Sequence, residues 1–222
     1  WSPLLRLPQG HWSSGGQILP VQAAPSGGVW VQLPVGEGVC ALPLQRSVEP
    51  LGSAIPIRHP VCVEVVSSGV WRLSNGLVSA DVGAQGLVQL RDGNGVPQLS
   101  EPMRLLRFSD RGEFWDAWDL AADYRQRPLP MAARWSAELV ESGPLAARIV
   151  LRTVAGLSKV RLDLMLKADS PWLEAQLSVQ WQQTHELLRL ELPLHSPAVR
   201  WAADTSGGVI ERPAQAFTPF EQ

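Results

Sequence analysis

The densest concentration of chemically useful side chains in this 222-residue chain is Phe114-Trp115-Asp116-Ala117-Trp118-Asp119, with Tyr124 just beyond. Indole faces cover the apolar C–H patches of a sugar ring while carboxylates accept hydrogen bonds from its hydroxyls, so this composition suits carbohydrate. A second reading stands beside it: Trp115 and Trp118 have the i, i+3 spacing with which a short helix fills a core. Composition alone leaves both open. As a self-contained glycosidase pair, Asp116 and Asp119 are poorly suited. Such enzymes set two carboxyls across a glycosidic bond, and acids three positions apart, without a second aromatic cluster, supply no opposite wall.

Other chemistries find less. His11, His59, His185 and His195 are dispersed, and none stands at a metal-ligand spacing from another His, Cys or carboxylate. The expectation is no metal site in this chain. No phosphate-binding glycine loop and no G-x-S-x-G elbow is present. Cys40 and Cys62, 22 positions apart, form neither a disulfide framework nor a zinc cluster and read as buried small hydrophobes. Arg212, beside Glu211 and just before Pro213, offers a guanidinium fork suited to a carboxylate of a partner domain, or else a surface ion pair. In Trp181 to Leu188 the expectation is a strand end, a polar turn and a strand start, with Trp181 in the core.

These side chains must be positioned by strands. In Lys159 to Lys167, Val160, Leu162, Leu164 and Leu166 alternate strictly with Arg161, Asp163, Met165 and Lys167, the period of a strand with one buried face. The same period recurs in 145 to 154, in Trp172 to Trp181 and in His185 to Leu194. Val78, Ala80 and Val82 oppose Leu77, Ser79 and Asp81, and Asn75-Gly76 and Asp92-Gly93 mark turns of an antiparallel meander. Long half-solvated strands must stack to bury their apolar faces, which predicts an all-β, large antiparallel sandwich over 57–222. Only 114 to 127 has room for a helix, and a short one. Residues 1–56 are shorter apolar bursts broken by Gly and Pro, predicting a small β unit or the remnant of one, with Glu49 to Pro56 as a linker.

A hydrophobic share of 45% argues against disorder, and a net charge of −2 with scattered arginines excludes a nucleic-acid surface. No apolar run approaches a membrane span, and no basic n-region or h-region precedes the first strands, so the expected location is cytoplasmic and away from membrane. Opening on Trp1, the sequence is expected to be part of a longer protein.

Several separated segments together resemble one family, the α-mannosidases of glycoside hydrolase family 38, in their C-terminal β-rich half. They are Leu73-Ser74-Asn75-Gly76-Leu77 with Gly86 and Leu90-Arg91-Asp92, then Phe114 to Asp119, Glu141 to Ala147, Trp181 to Leu188 with Leu192-Pro193, and Gly208 to Pro213 with Thr218-Pro219. Their order is collinear with the family from about residue 57 to 222, and Pro20-Val21-Gln22 is the best match in the preceding unit. The resemblance implies a galactose-mutarotase-like supersandwich, here possessing an incomplete C-terminal end, and a parent enzyme that hydrolyses α-mannosides with retention. It places the nucleophile and the zinc in an N-terminal barrel outside this chain. The fragment is therefore expected to be inactive alone, with no cofactor of its own and with that barrel and the α-mannoside as partners. Trp115, Asp116, Trp118, Asp119 and, secondarily, Arg212 are the expected sugar-pocket contributors. Two alternatives remain: a stand-alone carbohydrate-binding module, and a mutarotase-like epimerase, for which His185 and Glu186 are the one adjacent acid–base pair offered.

Overall fold

Alternating apolar and polar residues with Gly- and Asn-containing turns leave the backbone little choice but antiparallel ladders. A computed structural model describes residues 3–34, 41–47, 53–112, 120–132, 134–196 and 198–214, and its regular secondary structure is almost wholly strand.

The N-terminal residues form two small sheets from seven strands: β1 (Leu4–Leu7), β2 (His11–Ser14), β3 (Gln17–Ile18), β4 (Val21–Ala23), β5 (Val29–Gln32), β6 (Gln45–Ser47) and β7 (Ser53–Ala54). Their orders are β1-β5-β4 and β6-β2-β3-β7. The β2–β3 hairpin turns on Gly15 and Gly16, both at positive φ (57° and 78°), the pair of left-handed positions that a tight two-residue hairpin requires. Leu19, Val29 and Val31 form a small core of their own, with Leu7, Trp12 and Ile55 packed against it. Part of the expected linker is thus structured: Ser53–Ala54 pairs in parallel with β3, and Ile55 N donates to Ile18 O at 2.9 Å.

The larger body begins with the meander β8 (Cys62–Ser67), β9 (Val70–Ser74), β10 (Val78–Gly83) and β11 (Gly86–Asp92), in spatial order β11-β10-β9-β8. Then come β12 (Arg104–Ser109), a single 3₁₀ turn at Tyr124–Gln126, β13 (Pro128–Leu129), β14 (Ser136–Glu141), β15 (Ala146–Ala155), β16 (Ser158–Lys167), β17 (Leu173–Gln180) and β18 (Glu186–Glu191). The strands β14-β15-β16-β17 make a second meander, and β13-β12-β18 a third sheet. A terminal hairpin pairs β19 (Arg200–Thr205) with β20 (Gly208–Pro213).

The two meanders bury their apolar faces together. Leu73, Val78, Ala80 and Val82 from the first share one cluster with Ile149, Leu151, Leu162, Leu164 and Leu166 from the second. The face read from the sequence is the buried one: Val160, Leu162, Leu164 and Leu166 are each at most 2% exposed, whereas Arg161 is solvated. Each buried leucine contributes on the order of 2 kcal/mol. Asn75, between β9 and β10, is a buried turn residue of the first meander. Its Oδ1 accepts from Leu77 N and Val78 N, and its Nδ2 donates to Lys167 O and Ser170 O on the opposite sheet.

Three expectations fail here. The period of two in β17 is real, and Leu177 and Val179 lie on the core side, opposite Leu162 and Val160. They are nevertheless exposed, as is Trp181 at 37%. β17 is an edge strand of its sheet, and only its first residue, Leu173, packs against the core among the described residues. Cys62 is exposed, because β8 is likewise an edge strand and Cys62 points away from the core that holds Val61 and Val63; Cys40 lies outside the described residues. No described helix is long and apolar enough to cross a membrane.

Candidate functional site

Trp115, Asp116, Trp118 and Asp119 lie outside the described residues, and the structure is informative about what flanks them. β12 delivers the chain to Asp110, whose Oδ1 accepts from Ala121 N at 2.8 Å and whose own N–H donates to His185 O at 2.8 Å. The two ends of the intervening segment are therefore joined by one side chain. Beyond Ala121, the 3₁₀ turn buries Tyr124 edge-on against Phe108, with ring centroids 5.2 Å apart. Its hydroxyl accepts from Arg189 Nη1 at 2.5 Å and from Arg125 Nε at 3.1 Å. Pairing of Leu106 with Arg189 and of Phe108 with Leu187 puts this cluster on one face of the β12–β18 ladder. Leu105, Leu188 and Leu190, in the alternate phase, face the main core.

The run Trp181 to Leu188 also acquires a physical account. Gln182 N donates to Ser158 Oγ at 2.8 Å, and Ser158 Oγ bonds Gln183 Oε1. Glu186 Oε2 stands 2.9 Å from Arg107 Nε, as an ion pair whose N–H is not aimed at the oxygen. Ser158 thus fastens the start of β16 to the segment before β18, and the Arg107–Glu186 pair spans β12 and β18. Glu186 is engaged there with Arg107, and the neighbouring His185 is exposed at a φ of 53°. Arg212 is directly opposite Trp201 in the terminal hairpin, its guanidinium carbon 5.8 Å from the ring centroid, a cation–π distance. The neighbouring Glu211 pairs with Arg200 at 3.3 Å.

Two buried carboxylates have displaced acidities. Burial pushes the Asp81 carboxyl up, but hydrogen bonds from Arg72 and Arg91 outweigh it and hold the group below the ordinary range. Arg72 binds it through Nε at 2.6 Å and Nη2 at 3.0 Å, and Arg91 through Nη1 at 2.8 Å. A carboxylate so clamped is a cross-strand fastener and no proton donor. Glu141 is raised, chiefly by burial, with opposing bonds from Trp30 and Gln22 and the charge of Arg148. Its Oε1 accepts from Trp30 Nε1 at 2.5 Å and Gln22 Nε2 at 3.1 Å, while Arg148 Nε lies 3.8 Å from Oε2, beyond hydrogen-bond reach. Gln22 Oε1 meanwhile accepts from Leu145 N and Ala146 N at 2.7 and 2.9 Å. Glu141 and Gln22 thus hold the N-terminal sheets against the sandwich. Sequence patterning did not single them out for this role, and the one local signal is an acid at the end of an alternating strand.

Among the described residues no group of three or more His, Cys, Asp or Glu side chains is placed to hold a metal ion.

Against known proteins, the family described as Glycosyl hydrolases family 38 C-terminal domain matches residues 73–222. Alpha-mannosidase 2C1 of Homo sapiens is 23% identical over 192 residues, covering 83% of this chain and 18% of that protein, and the Mus musculus protein of the same name matches at the same identity and coverage. Alpha-mannosidase G of Dictyostelium discoideum is 24% identical over 166 residues, covering 70% of this chain and 15% of that protein. The chain therefore spans less than a fifth of the length of these curated relatives.

Proposed function

Because the chain belongs to the family of glycosyl hydrolase family 38 C-terminal domains, we propose that it works as the C-terminal β-rich part of a retaining α-mannosidase whose nucleophile and zinc sit in an N-terminal catalytic part. The observation that carries this reading is the family match across 73–222, together with relatives named α-mannosidases that are several times longer. The exposed apolar row Leu177, Val179 and Trp181 supports it, since such a stripe suits contact with further protein. In this role the sandwich supplies packing surface and a tethered segment. Asp110 and Ala121 hold the segment's ends together, and Trp115, Asp116, Trp118 and Asp119 within it complete a sugar pocket built mostly by the catalytic part. Arg212 is a subsidiary contributor from the terminal hairpin.

The test is hydrolysis of an aryl α-mannoside, with the anomeric outcome read by NMR. The full-length protein is expected to cleave it with retention, and the 222-residue chain to leave it intact. Cleavage by the isolated chain, or none by the full-length protein, overturns the proposal. Asp116→Ala in the full-length protein is expected to lower the rate while leaving the melting temperature nearly unchanged; an unaltered rate removes Asp116 from the pocket.

A further inference from the structure

We propose that the outer face of the second meander carries a binding site for a small soluble phosphate monoester, with Arg134, Arg152, Lys159 and Arg161 gathered around its anionic head. Two rows of side chains cross this sheet on the face turned away from the core. Ser136, Arg152, Arg161 and Ser178 stand directly opposite one another across β14 to β17, and Val154, Lys159 and Gln180 form the next row. All seven are exposed. Together with Ala132 and Arg134 they line a cavity of about 640 Å³, within the range of small-molecule sites.

Charge decides the ligand. Four of the lining side chains are cationic and none is acidic, although acids outnumber bases in the chain as a whole. Arg152 lies directly opposite Arg161, a like-charge cross-strand pair that is unfavourable unless anions meet it. Two neighbouring acids do so in part: Arg152 Nη1 donates to Glu138 Oε2 at 2.8 Å, and Arg161 donates to Asp163 through Nε at 2.6 Å and Nη2 at 2.8 Å. Asp163 is also shared with Arg148 at 3.5 Å. These bonds orient both guanidinium groups and leave Arg152 Nη2 and Arg161 Nη1 without a partner among the described residues. Lys159 and Arg134 have no ion-pair partner among the described residues. Four cations against two carboxylates leave two charges unmet, which matches the roughly two negative charges of a phosphate monoester near pH 7 and exceeds the single charge of a carboxylate. Guanidinium forks suit phosphate oxygens, and Ser178 and Gln180 add neutral donors. Val154, 53% exposed amid these polar rows, and Ala132 offer apolar cover to the carbon skeleton that a monoester carries.

The experiment follows acetylation of lysine by an N-hydroxysuccinimide ester in the full-length protein, resolved by mass spectrometry, with phenyl phosphate as the probe. Lys159 and Lys167 are the two lysines of this chain. Lys167 lies on the same face of β16 but is paired with Glu174 at 2.8 Å, so it serves as the internal control. Reading the rate at one lysine separates this site from any pocket of the catalytic part. Phenyl phosphate is expected to suppress acetylation of Lys159 and spare Lys167. The half-protecting concentration is expected to rise about tenfold in Arg152→Gln and in Arg134→Gln, the loss of one charge-assisted hydrogen bond. Both arginines are exposed, so neither substitution disturbs the core. An unreactive Lys159 without probe, or protection matched by phenol or by sodium chloride of equal ionic strength, overturns the proposal. So does protection shared equally by Lys167, or a half-protecting concentration unchanged within about twofold in both variants. Protection by phosphoinositide-bearing vesicles alone overturns it as well, since the occupant is then a membrane.

Discussion

Replacing Gln22 by alanine is the sharpest test of how the N-terminal sheets are held. The Gln22 amide satisfies Leu145 N and Ala146 N, both at residues that are 0% exposed, and donates to Glu141 Oε1 and Ala146 O. Removing it orphans two buried donors, each worth about 1–3 kcal/mol. Water entering at the half-exposed Gln22 position recovers part of this, leaving a loss of about 3 kcal/mol. With a urea slope of about 3 kcal/mol per M for a domain of this size, the midpoint falls by about 1 M. Gly143 provides an independent perturbation from the other side. A Cβ there would meet Gln22 Cδ at 2.5 Å and Oε1 at 2.6 Å, so Gly143→Ala evicts the same amide with Gln22 still present. Urea unfolding followed by tryptophan fluorescence should give similar losses for the two variants and little extra for the double variant, since both remove one set of bonds. A shift below about 0.3 M for Gln22→Ala, or full additivity, refutes the reasoning.

The displaced carboxyls predict opposite pH behaviour. Asp81 titrates lower folded than unfolded, so its contribution is present above its unfolded value near 3.8 and is lost as pH falls through the lower folded value. Asp81→Asn should therefore flatten the acid limb of a stability–pH curve below about pH 4. Glu141 titrates higher folded than unfolded, so its contribution is complete below 4.5 and declines as pH rises through the folded value. Glu141→Gln should abolish that decline in the same curve while leaving Trp30 an acceptor. Tyr124→Phe keeps the edge contact with Phe108 but strips the hydroxyl from Arg189 and Arg125; calorimetry should show a loss of about 1–2 kcal/mol, or roughly 2–8 °C in melting temperature. The exposed Cys62 thiol should be alkylated by iodoacetamide in the native protein, as mapped by mass spectrometry.

Much of the architecture was legible because alternation is a local property. A residue's side of a strand follows from backbone pleating, so Leu162 and Leu164 were assignable to the core and Arg161 to solvent without knowing what they meet. Asn75-Gly76 was legible as a turn for a similar reason, as its hydrogen bonds to Leu77 and Val78 span two and three positions. The flanks of the Trp115 to Asp119 segment were visible only in part: Tyr124 stood out by composition, whereas Asp110 and Arg189 each resemble any other charged residue near a strand end.

What the sequence by itself determined, then, is the class of secondary structure, the phase of each long strand and, through collinear segments, the family. The tertiary structure alone decided which correctly phased faces are covered. Leu177 and Val179 have the same phase as the core of their sheet, yet burial depends on how far an opposing sheet extends, and a strand carries no record of that. It also decided the polar fastening of Gln22 to Glu141 and of Gln32 to Asp169, pairs separated by 119 and 137 positions. Such pairs leave no periodic trace, because each needs only one side chain of the right reach where two distant stretches of chain meet.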